Sequence, residues 1–138
     1  MLKRSEQASS ALINATAAQL FISDITASCD FFTQKLGFSL VFVYGEPPFY
    51  AQVRRDNGRL NLRHVDAPVI DSGLRDREEL LSADMTVATE AQIKRLFLEF
   101  QEAGVVFFQM LREEPWGAKT FIVKDPDGNL LLFAGPAK

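Results

Sequence analysis

Trp116-Gly117-Ala118-Lys119-Thr120-Phe121-Ile122-Val123-Lys124-Asp125-Pro126-Asp127-Gly128-Asn129-Leu130-Leu131-Leu132-Phe133-Ala134 decides the fold. Trp116 to Lys124 is rich in β-formers and reads as a strand. Asp125-Pro126-Asp127-Gly128 reads as a turn, because Asp and Asn bond their own backbone and Gly128 accepts a positive φ. Asn129 to Ala134 is then the last strand. Asp125 and Asp127 resemble a paired carboxylate site, and turn chemistry accounts for them more simply.

Outward from this hairpin, Val105 to Leu111 reads as a strand, broken by Glu113-Glu114-Pro115. Before it, Ile93, Leu96, Phe97, Phe100 and Ala103 fall on one helical stripe that ends at Gly104. Ser82 to Ala88 alternates Ala83, Met85 and Val87 against Ser82, Asp84 and Thr86, which suits a strand. The same order comes earlier in the chain. Residues 17–22 alternate as a strand. A helix follows, capped by Asp24 or Thr26, with Ile25, Cys29, Phe32 and Leu36 on its apolar side, and stops at Gly37. Phe38 to Tyr44 is a strand, broken by Glu46-Pro47-Pro48. Phe49 to Arg55 and Arg59 to Val65 are strands joined by Asp56-Asn57-Gly58, a strong hairpin signal.

Strand, helix, strand, strand, strand is thus written twice. The expected organisation is a single domain in four parts. Residues 1–16 form a polar or weakly helical N-terminal arm and 17–65 a first βαβββ module. Residues 66–81 form a linker with Pro68, Gly73 and the charged run Arg75 to Glu79, and 82–138 a second module. The fold class is α+β, with curved mixed sheets around a cavity.

Composition narrows the chemistry. The chain has 138 residues, 47% hydrophobic and 24% charged, ordinary for a globular protein. A single cysteine, Cys29, excludes an intrachain disulfide, and a single histidine, His64, excludes a multi-histidine site within the chain. The net charge of −3 argues against a dedicated nucleic-acid binder. No apolar run is long enough for a membrane helix, and residues 1–16 lack the pattern of a signal peptide. A cytoplasmic location is the resulting expectation. Phe is abundant, twelve against two Tyr and one Trp.

Trp116 to Asn129 resembles the C-terminal signature of the glyoxalase/bleomycin resistance/extradiol dioxygenase superfamily, the vicinal oxygen chelate fold. Phe21-Ile22-Ser23-Asp24-Ile25, Ser28, Phe31-Phe32 and Lys35-Leu36-Gly37-Phe38 resemble its first strand and helix, with Phe32 where Tyr is frequent. The resemblance spans about residues 17–135. It implies one of several activities: metal-dependent lyases, epimerases, dioxygenases and transferases, or metal-free proteins that sequester drugs. In the metal enzymes, His and Glu ligands stand on four strands. Carried onto this chain, those positions are Ala17, Asn61, Ser82 and Leu132. Ala and Leu offer no ligand, and Asn and Ser are weak neutral ones. A register slip at the middle two would bring in His64 or Asp84 and still leave two positions empty.

The expected function is therefore metal-independent binding of a drug-like or aromatic small molecule, resembling bleomycin resistance proteins, with no cofactor and no catalytic residue. The alternative is a superfamily enzyme with displaced metal ligands. Alternation predicts a ligand pocket of Gln19, Phe21, Asn61, Arg63, Asp84, Thr86, Leu130 and Leu132, with Phe42, Tyr50, Phe108 and Trp116 as aromatic walls. Glu46, Glu113 and Glu114 would form an acidic rim, and Arg54, Arg55, Arg59 and Arg63 a basic strip. His64 reads as a structural hydrogen-bonder and Cys29 as a small buried hydrophobe. The resemblance also implies a homodimer, with modules paired or swapped between chains.

Overall fold

The computed structural model describes residues 10–138. The first nine residues of the expected arm lie outside it, and residues 10–16 are exposed and irregular.

The first half begins with β1 (Ala18–Ile22), which buries Leu20 and Ile22. Asp24 then caps α1 (Ile25–Asp30) by accepting from the Ala27 amide at 3.1 Å. The helix widens into a π-helical turn over Phe31–Lys35, closed by the Leu36 amide on the Phe31 carbonyl. Within this turn the Thr33 hydroxyl donates to the Cys29 carbonyl at 2.8 Å, a side-chain competitor for the backbone ladder. Gly37, at φ +70°, ends the element. Strands β2 (Ser39–Tyr44), β3 (Tyr50–Arg55) and β4 (Gly58–His64) complete a four-stranded sheet in the order β1-β4-β3-β2, with β1 parallel to β4.

The second half repeats the plan. β5 (Leu81–Thr86) leads to α3 (Glu90–Glu102), capped by Thr89, whose side chain accepts from the Gln92 amide. Then come β6 (Phe107–Glu113), β7 (Ala118–Lys124) and β8 (Leu130–Pro136), in the order β5-β8-β7-β6. The α+β class and the repeated mixed sheets are as the alternation predicts.

One core joins the halves. Phe32, Leu36, Leu60 and Leu62 from the first and Ile93, Phe100, Phe121 and Phe133 from the second belong to a single buried cluster. Phe121 stacks on Phe133 at 5.2 Å, and Phe100 meets both rings edge-on. Across the halves, Arg55 forms a two-point pair with Glu99 at 2.6 and 3.0 Å and also donates to the Leu36 carbonyl. Lys35 donates to the Ala103 carbonyl at the end of α3.

Several expectations need correction. The 66–81 stretch, expected to be a linker, holds a helix, α2 (Ser72–Glu78), and gives Leu81 to β5. Asp71 caps α2 through the Leu74 amide, and Glu79 ends it at φ +51°. Within the charged run, Arg75 is only 6% exposed. Its guanidinium donates to the Asp127 carbonyl and lies 3.5 Å from the Asn129 side-chain oxygen. Trp116 does not open a strand. It lies in the turn with Gly117, at φ +88°, and is 74% exposed.

Candidate functional site

Each sheet has one face against the helices and one open face. In the first sheet Leu20, Ile22, Ala51, Val53, Leu60 and Leu62 point inward, so the alternate residues line the open face. Strand register arranges these in cross-strand rows. Gln19, Asn61, Gln52 and Phe42 form one, in which Gln52 donates to Asn61 at 2.8 Å. Phe21, Arg63, Tyr50 and Tyr44 form the next. Arg59 and Arg54 pair in a third. The Phe42 and Tyr50 rings lie 5.7 Å apart. Six of the candidate residues, Gln19, Phe21, Phe42, Tyr50, Asn61 and Arg63, thus share one surface.

The second sheet is less polar at its centre. Asp84, Leu132 and Ile122 are in register, as are Thr86, Ala134 and Thr120. Beside them Gln109 donates to the Thr120 hydroxyl, which in turn donates to Glu114 at 2.9 Å. Arg112 donates to the same Glu114 oxygen at 2.6 Å, and this bond holds the carboxyl below its usual pKa. Glu114 is 8% exposed, so it is not the open rim acid expected from sequence. Phe108 sits at a β-bulge with the Lys124 ammonium 5.5 Å from its ring. Trp116 lies outside the strands.

The four positions that the resemblance assigns to metal ligands carry no metal-binding set. Ala17 precedes β1, Asn61 is bonded to Gln52, Ser82 donates to Asn129 at 3.2 Å, and Leu132 lies between Asp84 and Ile122. Among the described residues no group of three His, Cys, Asp or Glu could hold a metal ion. These residues do not fit the family's divalent metal. Both nitrogens of His64 are engaged, Nδ1 with the Ser23 carbonyl and Nε2 with Asp66, each at 2.9 Å. Cys29 is buried and its thiol is pushed up by desolvation, the opposite of an activated nucleophile. Arg55, expected in the basic strip, faces inward and is neutralised by Glu99.

The turn after β7 is a structural clasp. Asp125 is 4% exposed and accepts from the amides of Asp127 and Asn129 and from the Asn129 side chain at 2.7–2.9 Å. Desolvation nevertheless raises its pKa from 3.8 to about 6. Asp127 accepts from the Ser23 amide, and Asn129 donates to the Phe21 carbonyl, tying the turn to the first half. Gly128 stands at φ +81°, and a Cβ there would lie 2.5 Å from the Arg75 guanidinium.

A cleft of about 880 Å³ opens between the halves, at the β3–β4 turn. Leu60, Met85, Leu96 and Phe133 form apolar wall, and Arg55, Arg59 and Arg95 stand among its polar residues. Of the pocket and metal-position candidates from the sequence, Ala17, Asp84 and Thr86 line it, together with Arg55 and Arg59 of the expected basic strip. Sequence reasoning passed over Gln52, Gln109, Thr120 and Arg75. Gln52 was within reach, since it alternates with Ala51 and Val53 on a strand already recognised. Arg75 gave no local signal, because its burial depends on a turn 52 residues away.

No helix among the described residues is long and apolar enough to cross a membrane. No curated protein matches the sequence significantly. Solved structures are similar in fold. A glyoxalase/bleomycin resistance protein/dioxygenase from Alicyclobacillus acidocaldarius has 19% identity and a TM-score of 0.72, over 91% of this chain and 92% of that one. The bleomycin-binding protein from Streptomyces verticillus, complexed with copper(II)-bleomycin, has 22% identity and a TM-score of 0.66, over 89% and 96%. TioX from Micromonospora sp. ML1 has 19% identity and a TM-score of 0.66, over 89% and 98%. The family model for the Glyoxalase/Bleomycin resistance protein/Dioxygenase superfamily matches residues 13–133. With its repeated modules and its signature turn, this chain belongs to that superfamily.

Proposed function

We propose that this protein binds an aromatic or amphipathic small molecule on its open sheet faces, without metal chemistry, and does so as a homodimer. The observation that carries the reading is the exchange of residue types at the family's site. Ala17, Asn61, Ser82 and Leu132 occupy the positions that the resemblance assigns to ligands, while Phe21, Phe42 and Tyr50 offer ring surface beside the Gln19, Asn61 and Gln52 amides. Rings and a few placed polar groups are what small-molecule sites are built from. The bleomycin-binding neighbour supports the same direction.

The homodimer reading is supported by β2. All six of its residues are exposed, including Leu40, Val41, Phe42, Val43 and Tyr44. An apolar edge strand of this length invites pairing, and a second copy would both cover it and wall the open face.

Isothermal titration against cationic glycopeptide drugs and flat aromatics tests the binding reading, with elemental analysis of protein purified without chelator beside it. Saturable 1:1 binding per chain with well under one equivalent of Ni, Zn, Fe or Mn is expected. No binding across the set, or near one equivalent of metal, overturns the reading. Light scattering at twice the chain mass is expected, and a monomer at all concentrations removes the dimer.

A further inference from the structure

The open face of the first sheet carries a one-signed charge pattern, and the inference drawn from it rests on the small-molecule reading above. Arg54, Arg59 and Arg63 lie on that face, on neighbouring strands β3 and β4. Among the described residues none of the three has an ion-pair or side-chain hydrogen-bond partner, whereas Arg55, on the inward face, has both. No acid lies on the face within β1 to β4. Glu46 and Asp56 sit in the turns, and Asp66 lies beyond β4, bonded to His64. The chain as a whole is at −3, so this patch opposes the net charge.

Register places Arg63 between Phe21 on one side and Tyr50 on the other, and the Gln19–Asn61–Gln52–Phe42 row lies directly beside them. Arg59 and Arg54 close the far side of that amide row. A guanidinium presents a flat fork that binds a carboxylate at two points, and its plane also stacks on rings. Three unpaired forks around amides and rings suit a flat body with a negative group at its edge.

We propose that the first sheet's open face binds planar aromatic anions of the aryl carboxylate class, with Arg63 and Arg59 holding the anionic group and Phe21, Phe42 and Tyr50 the ring. Gln19, Asn61 and Gln52 contribute neutral hydrogen bonds. A cationic aromatic meets repulsion from all three arginines on this surface.

The test uses the full chain and three probes of one shape: 2-naphthoate, 2-naphthamide and 2-naphthylmethylammonium, each titrated by calorimetry. The naphthoate is expected to bind about tenfold tighter than the amide, as one charge-assisted pair against a neutral one predicts. The cation is expected to be weakest. Arg63→Gln is expected to lower naphthoate affinity about tenfold while leaving the amide unchanged, and Arg63→Lys to restore part of the loss. Arg59→Gln repeats the test at the second arginine assigned to the anionic group. Arg77→Gln, on the exposed side of α2, is expected to change nothing. None of these arginines has a partner to lose, so melting temperatures should match the wild type. If the amide or the cation binds as tightly as the naphthoate, or Arg63→Gln and Arg59→Gln leave naphthoate binding intact, the anion inference is overturned and the small-molecule reading stands. If none of the three probes binds, the anion inference is overturned, and the wider titration against glycopeptide drugs and flat aromatics decides the small-molecule reading.

Discussion

Asp125→Asn should flatten the acid side of the stability profile. In the native turn Asp125 is almost fully buried, and desolvation raises its pKa from 3.8 to about 6. A raised carboxyl pKa means that the folded chain holds its proton more tightly than the unfolded chain does. Stability from this group is therefore fully present below about pH 4 and is lost as the pH rises through 6. The gap between the two values corresponds to roughly 3 kcal/mol, of which about 2.5 kcal/mol falls between pH 4 and pH 7. The amide variant keeps an acceptor for the Asp127 and Asn129 amides but does not titrate. Urea unfolding of wild type and variant at half-unit steps from pH 4 to pH 7 isolates the effect, because other carboxylates cancel in the difference. The wild type should lose ground steadily to the variant as the pH rises, at unchanged m-value. A difference that stays flat within about 0.5 kcal/mol, or that slopes the other way, would refute the reasoning.

Other outcomes follow from packing and caps. Phe100→Ala removes a fully buried ring that touches Phe121 and Phe133, and thermal or urea unfolding should register about 3–5 kcal/mol. Asp24→Ala removes the cap of α1 and should cost about 1 kcal/mol by the same measurement. The Arg55–Glu99 pair is partly exposed, so a double-mutant cycle should give a coupling under about 1 kcal/mol. Arg55→Ala alone should cost more than Glu99→Ala alone, because Arg55 also donates to the Leu36 carbonyl.

The repeated module and its strands were readable because alternation, glycine stops and the Asp-Asn-Gly and Asp-Pro-Asp-Gly turns are local signals. The open-face set from Gln19 to Arg63 followed from the same alternation. What was hidden depends on distant partners. α2 was read as linker because seven residues around Gly73 carry little periodicity, and its place is fixed by Arg75 reaching the turn at Asp127. Glu114 looked like a rim acid until Arg112 and Thr120 closed over it. The π-helical widening at Phe31 gave no local signal either, and it accompanies the seating of Phe32 and Leu36 in a core shared with the other half. Trp116 carries a strand-forming side chain, but Gly117 beside it turns the chain first.

The shared core has a consequence for how the molecule comes apart. Each half owns a complete sheet, so the architecture looks divisible. Yet Phe100 and Phe133 belong to the same buried cluster as Phe32 and Leu60, and Arg55, Lys35, Ser23 and Phe21 all bond across the seam. Separating the halves would wet both interiors at once. The two modules therefore form one cooperative unit, melting in a single transition, and neither would keep its shape if expressed alone.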